Sequence, residues 1–261
     1  MTPVINPEEI IKAFEGSGET DMNYLRHHMD RFINTYNRFD KTWDRSKGTR
    51  LLDIGAHWLH QSMVFKYGGY QVVAADLPMT FGVDDVRSLA SQHDIELVGY
   101  EDLSAPDCLK AIPSDSIDVV LMSEIIEHIT FNPMAMWKEI YRVMKPGSRI
   151  VVTTPNYYRT GGRAWRINKF LQGLGSGITV TEILTIHTTG HHWKEFSRRE
   201  LQYYFHLLSS DFDCVKSDHV NDDMENISTL QKLVRPLRQN LHLEFDLTRK
   251  SQGIVGDVNW T

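Results

Sequence analysis

Two short apolar runs early in the chain, each carrying an acid, most constrain the fold. The first covers residues 51–54 and contains Asp53, two residues before Gly55, and the second covers residues 71–76 and ends at Asp76. Short runs rich in β-branched residues indicate strands, and a separation of about one helix indicates neighbouring strands of an open α/β sheet. Ligands of such sheets lie beyond the carboxyl ends of the strands, where an acid about 20 residues past the first turn can hold a ribose diol.

The acid in the first run narrows the choice of ligand. Asp53 would repel a pyrophosphate at the strand tip, and the Gly-x-Gly-x-x-Gly sequence that lets a backbone approach phosphates is missing. A carboxylate suits a cationic ligand, and Asp76 suits its adenosine end. Together they predict S-adenosylmethionine (SAM).

These residues also match a family pattern. Asp53-x-Gly55 resembles the first motif of the class I SAM-dependent methyltransferases. Three later stretches resemble the family's fourth strand, its helix-to-strand turn and its fifth strand: residues 117–120, 141–147 and 150–156. The resemblance implies an α/β, Rossmann-like fold with a seven-stranded, mostly parallel sheet flanked by helices.

The first motif departs from the family in one respect. The family usually has Asp/Glu-x-Gly-x-Gly-x-Gly, and here His57 and Leu59 stand where the later glycines fall. We expect side chains at these positions to leave less room for the methionyl part of the cofactor.

The resemblance also implies which residues border the cofactor. The first motif would shape the methionyl site, the end of the second strand the ribose site, the end of the third the adenine site, and the end of the fourth the region below the methyl donor. In that order, they are Asp53, Gly55, Ala56 and His57; Asp76 and Leu77; Asp102 and Leu103; and Ser123 and Glu124.

The chain is predicted to divide into three parts. Residues 1–47 read as a helical segment interrupted by glycines, and the resemblance implies that it forms part of a substrate lid. Residues 48–250 would form the methyltransferase domain, in which the glycine-rich residues 157–192 are an insertion that covers the site. Residues 251–261 are a polar tail.

Further predicted elements are a third strand at 95–100, a helix at 132–144, a helix opened by a capping box at Ser197, two antiparallel strands at 212–215 and 241–247, and helical residues between them at 222–240.

Methyl transfer to a hydroxyl requires a group that removes a proton, and one run after the fourth strand offers such groups. In a helical turn, Glu124, Glu127 and His128 lie at i, i+3 and i+4 and share a face. Two carboxylates and an imidazole there could bind a divalent cation or set up one general base.

A second run, residues 190–198, resembles a pattern of two metal-assisted subfamilies. These are the ubiquinone-pathway O-methyltransferases and the enzymes that methylate the terminal 2′-hydroxyl of small RNAs. In the RNA group, the matching residues hold magnesium, which here implies Glu124, Glu127, His128 and His192. The alternatives are a metal-free base at His128 or His192, with His187 and His191 in reserve, or structural roles in which Glu124 touches the cofactor and Glu127 braces the fold.

Charge limits the class of acceptor. The net charge of −6 argues against a nucleic-acid partner on electrostatic grounds. A local cluster of cations could receive an anionic acceptor, or it could be a solvated lid helix: Arg159, Arg163, Arg166 and Lys169. No apolar run reaches the roughly 18 residues of a membrane span, and the start lacks the pattern of a secretory signal, so we expect a cytoplasmic protein.

Three functions follow from these observations. The first is O-methylation of a small or medium hydroxyl-bearing acceptor, such as a sugar or a biosynthetic intermediate. The second is metal-dependent RNA 2′-O-methylation, which the Glu/Glu/His/His pattern favours and the charge opposes. The third is SAM binding without catalysis, which the altered glycine motif suggests.

Overall fold

A computed structural model shows one seven-stranded sheet with helices on both faces. It describes residues 5–16, 21–159, 162, 164, 167–173, 177–187, 190–221 and 229–254. The strands are β1 (Arg50–Ile54), β2 (Gln71–Asp76), β3 (Glu96–Gly99), β4 (Ile117–Ser123), β5 (Met144–Pro155), β6 (Phe212–Val220) and β7 (Asn240–Leu247). Their order across the sheet is β3-β2-β1-β4-β5-β7-β6.

The strand directions confirm the predicted fold class. Strands β3, β2, β1, β4 and β5 pair in parallel, and β7 runs antiparallel to both of its neighbours, β5 and β6. The strand order reverses at β1, because β2 lies on one side of it and β4 on the other. A doubly wound sheet opens a crevice at this switch point, beyond the carboxyl ends of its strands. The fold thus places the tips of β1, β2 and β4 around one crevice.

Helices cover the sheet and its carboxyl edge. They are α1 (Pro7–Glu15), α2 (Met22–Asp40), α3 (His60–Tyr67), α4 (Pro78–Phe81), α5 (Asp84–Gln92), α6 (Met134–Val143), α7 (Ile167–Leu171), α8 (Val180–Thr185), α9 (Arg198–Leu208) and α10 (Thr229–Leu233). Ser197 caps α9 through a reciprocal pair of hydrogen bonds with Glu200, as its sequence predicts. Among the described residues, no helix is both long and apolar enough to cross a bilayer.

Two hydrophobic cores form because alternate residues of each strand point to opposite faces. Leu52 and Ile54 pack with Trp137 of α6 and Phe205 of α9 on one face. Leu51 packs on the other face, in the cluster that holds Phe14 of α1, Tyr36 of α2 and Phe65 of α3. The N-terminal segment is therefore part of the second core, which fixes α2 against the domain.

The structure corrects two local predictions. Residues 124–128 do not form one regular helical turn, because Glu124 has a left-handed φ of +56° and only Ile126–His128 form a short 3-10 turn. The helix predicted for 132–144 ends at Val143, and β5 begins at once with Met144, which pairs with Ile117. The predicted tail beyond residue 254 and residues 222–228 lie outside the described residues.

Candidate functional site

A cavity of about 660 Å³ lies at the carboxyl ends of β1, β2 and β4. Its size falls within the roughly 300–1,000 Å³ of small-molecule sites. All ten residues predicted to border the cofactor belong to its wall: Asp53, Gly55, Ala56, His57, Asp76, Leu77, Asp102, Leu103, Ser123 and Glu124. The structure thus brings together side chains from four separate strand ends, as the sequence pattern implies.

The turn after β1 has left-handed backbone at three positions, of which only the first is a glycine. Gly55 has a φ of +74°, and a Cβ there would lie 2.1 Å from Cδ1 of Ile125. His57 and Leu59 also have left-handed φ values, of +47° and +66°. Side chains rarely adopt this region, since it costs roughly 1–2 kcal/mol for an L-residue. The chain therefore adopts left-handed backbone at the two positions where the family's pattern has its later glycines.

Asp76 holds this turn in place. One of its carboxylate oxygens accepts a hydrogen bond from the backbone N–H of His57 at 2.6 Å, and the other accepts from the N–H of Leu77 at 2.6 Å. The oxygen that accepts from His57 has a second lone pair for a ligand hydroxyl, and the other oxygen also accepts from Oγ1 of Thr80 at 3.5 Å. The same acid therefore braces the β1 turn and faces the cavity.

Asp53 is a buried acid on the cavity wall. Its carboxylate accepts a hydrogen bond from Ser62 Oγ at 2.6 Å, and only 2% of the residue is exposed. Burial raises the pKa of Asp53 to about 7, with a smaller contribution from the nearby charge of Asp76. A cationic ligand placed against this carboxyl would favour its charged form.

Glu124 aims a carboxylate into the cavity from a strained backbone position. Its N–H donates to the carbonyl of Thr153, which fixes it to the end of β5. Its Oε2 lies 3.8 Å from Nη1 of Arg31 on α2. Its Oε1 is buried and has no hydrogen-bond partner among the described residues. A buried acceptor without a partner is costly, so this oxygen suits a donor on a ligand.

A cluster of titratable groups lies beside Glu124. One ligand atom from each of Glu127, His128 and His192 lies within 4.8 Å of the others. The rings of His128 and His192 are 4.8 Å apart and nearly perpendicular. Burial, reinforced by the charge of Glu124, raises the pKa of Glu127 well above its ordinary value. Thr154 Oγ1 donates to Glu127 Oε2 at 2.9 Å, which orients this carboxyl.

This grouping differs in one member from the predicted ligand set. Three of the four predicted metal ligands meet, and Glu124 lies outside the group and faces Arg31 instead. The reserve candidates are also apart from it: His187 is exposed, and His191 is buried with its Nε2 donating to the carbonyl of Glu182.

Two features of the site were missed by sequence reasoning. The first is α2, whose Tyr24, Arg31 and Phe32 line the cavity at i, i+7 and i+8 on one helical face. Residues that face a hydrophobic core have the same spacing, so the pattern alone could not distinguish a cavity wall from a core. The second is Glu195, which lies 3.2 Å from Nδ1 of His192 through its Oε1. Its position three residues after His192 was the available signal.

The predicted cation cluster is not arranged as an anion site where it is described. Arg159 pairs with Glu195 at 3.2 Å, and Lys169 donates to the carbonyl of Gly177 at 3.0 Å. Arg163 and Arg166 lie outside the described residues.

Comparisons with known proteins agree with this geometry. Residues 52–152 match the methyltransferase domain family. No curated protein matches the sequence. Among solved structures, a SAM-dependent methyltransferase from Archaeoglobus fulgidus has 18% identity and a TM-score of 0.52, over 85% of this chain and 94% of its own. A SAM-dependent methyltransferase from Mesorhizobium loti has 16% identity and a TM-score of 0.53, over 88% of this chain and 98% of its own.

A third structure contains ligands. It is the 1,6-didemethyltoxoflavin-N1-methyltransferase of Burkholderia thailandensis, with bound 1,6-didemethyltoxoflavin and S-adenosylhomocysteine. It has 14% identity and a TM-score of 0.58, over 95% of this chain and 93% of its own. At such identities, the likeness is one of fold. Residues 52–152 therefore match a methyltransferase domain, and the chain has the fold of SAM-dependent methyltransferases.

Proposed function

We propose that the protein methylates a hydroxyl of a small or medium acceptor, which binds between Glu124 and the pair His128 and His192. The main support is that the cluster of Glu127, His128 and His192 lies next to a cavity whose wall also holds the predicted cofactor residues. Because methyl transfer is an in-line displacement, the acceptor oxygen must lie close to the methyl group while a base takes its proton.

SAM fits the residues on the cavity wall. Asp76 has oxygens for the ribose diol, and Asp53 is a buried carboxyl suited to the cationic methionyl end. When bound, SAM supplies the electrophilic methyl group. The chain supplies orientation and proton removal, and the orphan Oε1 of Glu124 can accept a hydrogen bond from the acceptor.

We assign proton removal to His192 or His128. Nδ1 of His192 is engaged by Glu195, so Nε2 is the nitrogen that remains for the acceptor. Glu127 is less available as a base in the absence of a cation, because burial disfavours the charged form that takes a proton.

This assignment is tested by replacing each imidazole. His192→Ala or His128→Ala should lower the rate of methyl transfer from labelled SAM by ~10²–10⁴-fold while SAM affinity holds. His206→Ala, on the exposed face of α9, is the matched control and should leave turnover unchanged. Acceptors can be found as one-methyl mass shifts in a pool of hydroxyl-bearing metabolites, and unchanged turnover in both site variants would refute the base assignment.

A divalent cation is the second version of the same site. One carboxylate and two imidazoles, all within 4.8 Å, are ligands that magnesium, manganese or zinc can take. A cation would favour the charged form of Glu127 and lower the pKa of a coordinated hydroxyl. In this version, a chelator abolishes turnover and added magnesium restores it, whereas turnover that survives chelation supports the metal-free base.

The remaining alternatives are outcomes of the same assay. Methyl incorporation into RNA, rather than into metabolites, would favour an RNA 2′-O-methyltransferase, against which the net charge of −6 argues. SAM binding without turnover on any acceptor would favour a binding protein. A cytoplasmic location stays a prediction.

A further inference from the structure

We propose that Glu195 is a positioning residue that holds His192 in the tautomer needed for proton removal. This inference rests on the proposed function, in which His192 contacts the acceptor. Glu195 is 4% exposed, and its Oε1 lies 3.2 Å from Nδ1 of His192. An ionised carboxylate only accepts hydrogen bonds, so Nδ1 must carry the proton and Nε2 must present its lone pair.

The backbone around Glu195 is fixed on both sides. The N–H of Trp193 donates to the carbonyl of Glu127 at 2.8 Å, which ties this segment to the exit of β4. The N–H of Tyr157 donates to the carbonyl of Phe196 at 2.9 Å, which ties it to the exit of β5. Glu195 lies between these two anchors and His192 directly precedes the first, so the backbone holds the two side chains close to each other.

Arg159 completes the arrangement. Its Nη2 lies 3.2 Å from the same Oε1 of Glu195 that faces His192. The carboxylate of Glu195 therefore accepts from a guanidinium on one side and from the imidazole of His192 on the other. When His192 takes the acceptor's proton, the imidazolium is stabilised by this carboxylate in a region of low dielectric.

A second role for Glu195 must be separated from this one, namely that it only neutralises the partly buried Arg159. In that case, removing both charges together should be harmless. If Glu195 positions His192, the double variant should be as impaired as the single one. The chain therefore offers a direct comparison between Glu195→Gln alone and Glu195→Gln combined with Arg159→Met.

The first test needs no acceptor. In the parent protein, ¹⁵N NMR of the histidine side chains should show His192 with its proton on Nδ1 at neutral pH. In Glu195→Gln, the proton should be redistributed between Nδ1 and Nε2. Glu200→Gln, which alters an exposed carboxyl paired with Lys194, should leave the His192 signals unchanged. A His192 tautomer that is the same in the parent and in Glu195→Gln would overturn the proposal.

The second test uses turnover. Glu195→Gln should lower kcat by at least roughly 10²-fold with KM and SAM affinity nearly unchanged, because a misplaced tautomer affects the proton-transfer step rather than binding. Restored kcat in the double variant would also overturn the proposal in favour of charge neutralisation. The two hypotheses fail separately: full activity of His192→Ala refutes the proposed function, whereas loss in His192→Ala with full activity in Glu195→Gln refutes only the role of Glu195.

Discussion

His57 shows that a turn can keep a glycine's backbone conformation with another residue in place. Its φ of +47° is left-handed, and its N–H is held by Asp76 at 2.6 Å. The hydrogen bond offsets part of the strain, because an acid buried at the strand tip needs donors. The side chain of His57 is exposed, so the strain belongs to the backbone and not to packing.

This strain can be measured by comparing two truncations. We expect His57→Gly to be more stable than His57→Ala by about 1 kcal/mol, because only glycine adopts the left-handed region without steric cost. Urea unfolding of both variants measures the difference. At Lys41, where φ is −59°, we expect the opposite order, with Lys41→Ala more stable than Lys41→Gly. Alanine more stable than glycine at both positions would contradict the strain.

The buried carboxyl of Asp53 makes stability depend on pH. Burial raises its pKa from 3.8 to about 7, so between these values the folded chain holds a proton that the unfolded chain releases. Stability contributed by this group is present below pH 3.8 and is lost as pH rises towards 7. A shift of about three units corresponds to a loss of at most roughly 4 kcal/mol.

We therefore expect Asp53→Asn to be less sensitive to pH than the parent without ligand. The parent should lose stability relative to the variant between pH 4 and pH 7, and chemical unfolding at a series of pH values follows the difference. Addition of S-adenosylhomocysteine should not restore the variant as it does the parent if Asp53 binds the methionyl end. A stability difference that is flat with pH would show that Asp53 ionises normally in the folded state.

At the scale of elements, the turn from β1 to α3 is fitted against the exit of β4. Gly55 has a φ of +74°, and Ile125 fills the space where its Cβ would be. A methyl group at Gly55 would thus push Ile125, itself part of the cavity wall, out of place. The first glycine of the motif is required here by conformation and by space together.

A double variant separates these two requirements. Gly55→Ala should cost roughly 1–2 kcal/mol of stability from its φ and should also weaken binding of S-adenosylhomocysteine. Gly55→Ala with Ile125→Ala should recover binding but keep the backbone cost. Calorimetry reports the binding and urea unfolding the stability. If affinity stays low in the double variant although the chain folds, the contact with Ile125 is not what limits binding.

The sequence predicted the elements whose pattern is local. The strand tips at Asp53 and Asp76 and the capping box at Ser197 follow from short-range spacing, and the structure has all three. The turn at Glu124 could not be predicted, because its left-handed backbone depends on the Thr153 carbonyl of another strand. Such contacts between distant residues determine which side chains meet, and spacing alone does not reveal them.

At the scale of the whole molecule, a buried charge network joins the N-terminal helices to the antiparallel half of the sheet. Glu244 on β7 is fully buried. One of its oxygens accepts from Arg149 at 2.7 Å and from Thr42, just past α2, at 3.2 Å. The other accepts from Lys216 at 3.1 Å and from His242 at 2.8 Å. A single carboxylate therefore holds three strands and the end of α2.

Removing that carboxylate should be costly. We expect Glu244→Gln to lose up to about 3–5 kcal/mol of unfolding free energy, because Lys216 loses its carboxylate partner and Arg149 keeps only that of Asp246. Glu96→Gln is the control, since its ion pair with Arg50 is half exposed and should contribute less than about 1 kcal/mol. Urea unfolding compares the two, and equal losses would mean that the network contributes no more than a surface pair.

The position of α2 links the start of the chain to the state of the cofactor. Tyr24, Arg31 and Phe32 are both helix residues and cavity wall, so a ligand that touches them favours the docked helix. By thermodynamic reciprocity, docking of α2 strengthens ligand binding by the same free energy. Helix α2 (Met22–Asp40) should then resist proteases in proportion to ligand occupancy. The lifetime of the intact N-terminal segment in a cell would therefore depend on the concentration of methyl donor.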